Sequence, residues 1–351
     1  MKKFKVFLSV SLIPFILTIN NLNTENYFIE NYYSNIFYIF VSEKIRFITH
    51  WINISVGDII YLGVIFYLFF FSITNIKNYK KYITEMGSIA FIFIFIFYTF
   101  WGLNYKKVSL KSHLNLNGDY TNEKLIVFTK NLIQNINSLQ NHLVVNDTVM
   151  PINPHNFSVS KIISENDIRK ISGILGDSII KSNYPYPSVK KSIFSIPLLY
   201  MGFSGYINPF TNEANINYKI PKNQIPLTIS HEISHQLGIA SERDANFIAY
   251  LSLINSDDKF HNYCGMSYAL KLCLHEISKI DNDEYKKILN TVNKGIIKDF
   301  RNSRDFWLKF DGLVEKISKK TYDKYLKQNN IESGIKNYNE SISLILNYNS
   351  V

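Results

Sequence analysis

Three apolar stretches lie before residue 104, and they restrict the fold more than any other feature of the chain. "FKVFLSVSLIPFILTI" (Phe4–Ile19) follows a basic "MKK" start, "IIYLGVIFYLFFFSIT" covers Ile59–Thr74, and "SIAFIFIFIFYTFWGL" covers Ser88–Leu103. Each approaches the roughly 20 apolar residues needed to cross a bilayer core. Runs this free of charge are poor candidates for buried helices of a soluble domain. The first is interrupted at Pro14 and is followed by no small-residue cleavage site, so it reads as an uncleaved anchor in preference to a signal peptide. An N-terminal bundle of three transmembrane helices is therefore expected within residues 1–105. Between the first two stretches, "NYFIENYYSNIFYIFVSEKIRFITHWINIS" is aromatic but broken by charges, which suits an amphipathic segment lying at the membrane interface.

Orientation follows from the lysines beside these stretches. Lys2, Lys3 and Lys5 flank the first, and Lys77, Lys80 and Lys81 separate the second from the third. Positive flanks stay in the cytoplasm. Three crossings of the inner (cytoplasmic) membrane then leave residues 106–351 on the extracytoplasmic side, with Trp101 and Tyr105 as interfacial anchors. A cleaved first segment gives the same final side.

The net charge of +10 raises the question of nucleic acid, but the lysines are scattered and form no long basic run. A solvated basic surface is the simpler reading, and no nucleic-acid partner is expected. Two cysteines, Cys264 and Cys273, exclude a disulfide scaffold and a four-thiolate zinc site. Nine residues apart on one expected helix, they read as small buried residues.

From Lys106 the composition turns polar and mixed. "TNEKLIVFTKNLIQNINSLQNHL" has helical spacing, with Leu125, Phe128, Leu132 and Ile136 on one face. "SENDIRKISGILGDSIIKS" opens with Ser164 and Asp167 as a capping signal and reads as a second helix. Short alternating runs bounded by Asn, Gly and Pro follow, and "EANINYKI" reads as a strand. Helices dominate from there on. The expected class is α+β, mostly helical, with its few strands ahead of the helix that carries the chemistry.

That helix is expected from about Leu227 to Leu237 and contains "HEISH". His231 and His235 are at i and i+4, so both imidazoles leave the same face. This spacing lets two ring nitrogens reach one zinc ion at about 2.0–2.1 Å. Glu232, beside the first histidine, is placed to take a proton from water and pass it to a leaving amine. It is the H-E-x-x-H pattern of metallopeptidases. A catalytic zinc needs a third protein ligand. Gly238 can end the helix in a left-handed turn, and Ser241 and Asp244 then cap the next helix. Glu242 begins that helix and can point back at the histidines. Asp244 is the rival ligand, although its position suits capping.

At this point the sequence resembles a known pattern. "ERDANFIAY" looks like the E-x-x-A-[ND] signature of glutamate-type zincins. The resemblance implies that Glu242 is the third zinc ligand and that Asn246 supports a histidine from behind. The run from "SGYINPFTNEANINYKIP" through "HEISHQLGIASERDANFIAYL" is similar to a membrane-anchored, zincin-like family of Bacteroidota proteins, as are "WGLNY" and "YDKYLKQNNIESGIKNY". This implies a zincin-like fold and one zinc ion, and carries no substrate with it. The chain departs from metzincins in having Ser241 where a third histidine would stand. It departs from longer-spaced glutamate zincins in placing Glu242 seven residues after His235. By the same comparison "TNEANINYKI" occupies the place of the edge strand that pairs with an extended substrate, here around Asn212–Asn217. Oxyanion donors are sought among His261, Tyr263, Tyr268, Tyr322 and Tyr338.

The leading expectation is a membrane-anchored zinc metallopeptidase acting on a protein, peptide or peptide-like envelope component, with membrane lipid around its anchor. The alternative is a catalytically silent zincin-like scaffold or sensor that binds a partner. A structural zinc would need a fourth protein ligand, and none lies nearby in sequence.

Overall fold

The computed structural model describes residues 2–22, 26–75, 77–116, 118–176, 179–180, 183–329, 331 and 340–349. Helix α1 (Lys2–Asn20) runs through Pro14 without a break. A π-wound stretch, Ile29–Tyr38, continues directly into α2 (Ile39–Thr49). Then come α3 (Val56–Asn75) and α4 (Tyr79–Phe100). Among the described residues, α3 and α4 are the two helices long and apolar enough to cross a membrane. Three were expected. The apolar run of α1, Phe4–Ile19, is as long as the other two, but Lys2, Lys3 and Lys5 occupy the first turns of its helix and Pro14 lies within the run. Helix α1 lies along α4, with Lys5 Nζ donating to Glu85 at 2.6 Å and Phe15 packed between Phe91 and Tyr98.

The remainder is helical around a small sheet. In order it comprises α5 (Leu110–His113), α6 (Asn122–Leu143), α7 (Phe157–Leu175), β1 (Val189–Lys191), α8 (Ser195–Met201), β2 (Gly205–Asn208) and β3 (Glu213–Ile216). Helices α9 (Ile225–Gln236), α10 (Glu242–Ile254), α11 (Lys259–Ile280), α12 (Asn282–Leu289), α13 (Lys294–Leu308), α14 (Leu313–Gln328) and α15 (Ser341–Tyr348) follow. The α+β class is as expected. Helix α6 buries Leu125, Leu132 and Ile136, with Thr121 accepting from Lys124 N at its start. Helix α7 begins earlier than its sequence suggested. Asn156 caps it by accepting from Val159 N at 3.0 Å, and Ser164 is buried mid-helix. The apolar face of "NFSVSKII" extends the helix back past the second polar cluster, so tertiary burial outweighs the local capping pattern. Both cysteines are buried thiols, and Cys264 Sγ donates to Asn223 O at 3.2 Å.

The sheet has the order β1-β3-β2. Strand β1 pairs parallel to β3 with Lys190 opposite Asn215, and β2 pairs antiparallel with Tyr206 opposite Asn215. The strand expected at an edge, β3, is therefore the central one. Its two neighbours come from a proline-broken run and from "SGYINP", segments too short to stand out by alternation. The outer edge of β2 takes over the exposed role.

Buried side-chain hydrogen bonds tie the apolar N-terminal part to the sheet. Glu213 of β3 closes the start of α3, accepting from Gly57 N at 2.7 Å and Val56 N at 3.1 Å, where a carboxylate also suits the positive helix end. In the same first turn, Asp58 accepts from Ile193 N at 2.6 Å and from Ser192 Oγ at 3.0 Å, and Tyr206 also donates to it. Lys190 of β1 donates to the carbonyls of Thr49 and His50, both at 3.1 Å, at the end of α2. Trp101 and Tyr105, expected at a lipid interface, are buried in a cluster with Tyr38, Ala240 and Leu326.

Candidate metal centre

Helix α9 starts with Pro226 in its first turn, where the missing N–H costs nothing. Ile229 and Ile233 are fully buried and fix the helix against the core. This roll sends His231, Glu232 and His235 to the other side, towards the sheet. Gly238 ends the helix with φ +82°, and a Cβ there would lie 3.0 Å from the Tyr38 ring. The chain then doubles back, and Ser241 caps α10 at Asp244 N. Both turns are those expected from the sequence. Together they bring Glu242 over the two histidines.

Three ligand atoms converge. His231 Nε2 lies 3.1 Å from His235 Nε2 and 3.1 Å from Glu242 Oε2, and His235 Nε2 lies 3.6 Å from the same oxygen. Donors around a tetrahedral ion with bonds of about 2.0–2.1 Å sit about 3.3 Å apart, so these spacings suit one small ion. The other ring nitrogens are already engaged. His231 Nδ1 meets Asn246 Oδ1 at 2.9 Å, and His235 Nδ1 meets Ile239 O at 2.6 Å. Both partners are acceptors, so each Nδ1 carries the proton and each Nε2 presents a lone pair to the common point. Glu242 Oε2 is buried and has no hydrogen-bond donor, while Tyr322 donates to Glu242 Oε1. The donor set, the tautomers and the orphaned oxygen all fit a divalent cation. Asp244 turns away, accepting from Leu110 N at 3.0 Å and Arg243 Nε at 2.8 Å.

As protonatable groups alone, the cluster is strongly polarised. Burial pushes the Glu232 carboxyl up to about 7, against the pull of His231 and His235. Burial opposes a charge on His235, yet the Glu242 carboxylate outweighs it and carries the imidazole up to about 9. Burial likewise opposes charge on Glu242, but the two imidazoles hold it well below the ordinary carboxylate range. Glu232 Oε2 is buried with no hydrogen-bond partner, and Gly205 of β2 lies against the same carboxylate. A Cβ at Gly205 would sit 2.7 Å from Glu232 Oε1, so only glycine lets the strand approach this closely.

The carbonyls at the end of α9 are held by the N-terminal part of the chain. Tyr38 OH donates to Gln236 O at 2.9 Å and Trp101 Nε1 to His235 O at 3.3 Å. Asn212 Nδ2 donates to Tyr38 OH at 2.9 Å, and Arg46 Nη1 donates to Asn212 Oδ1 at 2.6 Å. Sequence reasoning missed this shell, because its members lie some 20 to 200 positions from the histidines. The one available signal is the run of charged and polar residues within 26–55, a segment expected to lie at the membrane interface.

Two cavities meet at the cluster. The larger, about 560 Å³, is walled by aromatic and aliphatic side chains and ends at His231, Glu232, His235 and Glu242. The smaller, about 340 Å³, lies on the other side of His231 and Glu232 and includes Ser204, Thr228, Asn246 and Lys319. Of the oxyanion candidates, Tyr322 lines both cavities. Tyr268 lines the smaller one and bonds Ser341 at 2.8 Å. Tyr263 is buried on Asp299, and His261 on Asp167. Tyr338 lies outside the described residues.

Fold and site together define an α+β protein with two membrane-length helices and a buried His-His-Glu cluster. The chain belongs to a family described as "Protein of unknown function (DUF3810)", whose model matches residues 33–346 and so takes in both long helices and the cluster. No curated protein and no solved structure matches the chain.

Proposed function

We propose that the protein is a membrane-anchored zinc metallopeptidase of zincin type. The observation that carries this reading is the spacing of three ligand atoms beside a buried, unpartnered carboxylate, Glu232, at the junction of two cavities. His231, His235 and Glu242 would hold the ion, which when bound supplies Lewis acidity to water and to the peptide carbonyl. Two imidazoles and a carboxylate favour zinc. Glu232 takes a proton from the attacking water and delivers it to the departing amine. The free edge of β2, with Gly205 against Glu232, orients an extended peptide by backbone pairing. Tyr322, whose single hydroxyl proton goes to Glu242, keeps that ligand in place. The α1 lysines and Lys80 and Lys81 gather at the end of α4 remote from the sheet, which supports a multi-pass anchor with the site on the extracytoplasmic side.

The test is zinc content and peptide hydrolysis by the full-length chain in detergent. Stoichiometric zinc is expected in the wild type and in Glu232→Gln but not in His235→Ala, with hydrolysis in the wild type alone. A wild type that takes up no zinc on reconstitution overturns the reading. Zinc uptake without hydrolysis dependent on Glu232 would leave a metal-bearing scaffold.

A further inference from the structure

One wall of the larger cavity is made by the membrane-length helices themselves: Tyr61, Val64 and Ile65 of α3 and Phe97 of α4. Ile65 lines the cavity and is also 55% exposed on the outer surface of α3, so the cavity opens where lipid would lie. The two helices form a fork. At the far end they close, with Tyr67 OH donating to Glu85 at 2.7 Å and Phe71 stacked on Tyr82. At the near end Phe210 is wedged between them, 5.9 Å from the Tyr61 ring and 4.9 Å from Phe93. A second cavity of about 570 Å³ continues from the first into this fork, sharing Tyr61, Phe97, Pro209 and Tyr325.

Strand β2 spans the same distance. Its first residue, Gly205, touches Glu232, and its last, Asn208, touches Gly57 at the start of α3. A chain paired along the outer edge of β2 therefore runs from the fork to the metal cluster and on into the smaller, more polar cavity. A soluble, charged substrate gains nothing from the first half of this path, whose only ionisable groups besides tyrosines belong to the metal cluster. An acyl chain would fill the apolar part but would leave the strand edge and the smaller, more polar cavity unused.

Resting on the peptidase reading above, we propose that the substrate is a membrane-embedded polypeptide that enters sideways between α3 and α4. It is cut just where its apolar segment leaves the membrane on the side of the sheet. Apolar residues on the membrane side of the bond occupy the larger cavity, and polar residues beyond it occupy the smaller one. Hydrolysis breaks the C–N bond of the peptide, adding the hydroxyl of one water to the acyl carbon and that water's remaining proton, through Glu232, to the released amine nitrogen.

The experiment uses full-length, zinc-loaded protein in phosphatidylethanolamine–phosphatidylglycerol vesicles. Three probes carry one randomised ten-residue stretch: a single-span polyleucine polypeptide, a diacylated peptide and a soluble peptide. Cleavage of the single-span probe at least tenfold faster than of the other two, lost in Glu232→Gln, is the expected result. Val64→Trp should slow it tenfold or more while zinc stays stoichiometric. Ile65→Trp, at a position already half in lipid, provides the same obstruction with little demand on folding. Faster cleavage of the soluble or the diacylated probe overturns the membrane-polypeptide assignment and leaves the peptidase reading standing. Cleavage of none of the three overturns both.

Discussion

The stretch Ile29–Thr49 and helix α6 are both amphipathic, yet they turn opposite faces to the protein. Helix α6 buries Leu125, Leu132 and Ile136 and leaves its lysines and asparagines outside. The earlier stretch buries Glu30, Ser34, Ser42 and Arg46 and exposes Tyr32, Ile36, Phe40 and Phe47 at its outer surface. The contrast teaches that a periodic pattern names two faces but not their media. Where water is the outer medium, the apolar face goes inward because its burial is worth about 25 cal/mol per Å². Where lipid is the outer medium that gain vanishes, and the inward face can carry polar contacts to the helix of His231 and His235.

The comparison can be broken most forcefully at the core of α6. Ile136→Ala, at a fully buried position, is expected to cost about 2–5 kcal/mol of stability, measured by chemical denaturation in detergent. At the metal cluster, removing the buried carboxylate should have the opposite sign. The Glu232 carboxyl is raised to about 7 in the fold against 4.5 in the open chain, so the folded state holds the proton over that interval and the open chain does not. Stability of the metal-free protein therefore falls as pH rises from about 4.5 to about 7. Glu232→Gln abolishes that loss. Its advantage should grow across this range to on the order of 3 kcal/mol, and a difference that shrinks with rising pH would contradict the assignment.

Smaller effects probe the inward polar face. Arg46→Ala leaves Asn212 Oδ1 without its charged donor and is expected to cost about 1.5–3 kcal/mol. Tyr38→Phe removes one donor from the end of α9, for about 1 kcal/mol of stability. Because Tyr38 also braces the helix carrying His235, zinc affinity should weaken about 10-fold or more, read by chelator competition. The smallest effect sharpens the contrast. Phe40→Ser, on the exposed apolar face, should change stability in detergent by about 0.5 kcal/mol or less, yet weaken retention of the protein in vesicles on flotation. Equal loss of stability at Phe40 and Ile136 would show that both segments face the same medium.

Much of the candidate site was legible because it is local. His231, Glu232 and His235 share one helix, Gly238 supplies the left-handed turn, and Ser241 starts the helix whose first residue is Glu242. Such features depend on spacings of three to seven residues, and backbone geometry converts them directly into side-chain placement. The lengths and apolarity of α3 and α4 are equally local properties, since a bilayer sets one distance and the chain either covers it or does not. What spacing could not decide was pairing between distant segments. That β3 is central and β2 the free edge depends on β1 arriving from across α8. That Tyr38, Arg46 and Trp101 hold the end of α9, and that the space between α3 and α4 leads to His231 and Glu232, depends on burial of polar groups with scattered partners. Those contacts form only after the two parts of the chain dock, when each buried donor must find an acceptor, and no periodicity in the sequence encodes which one it finds.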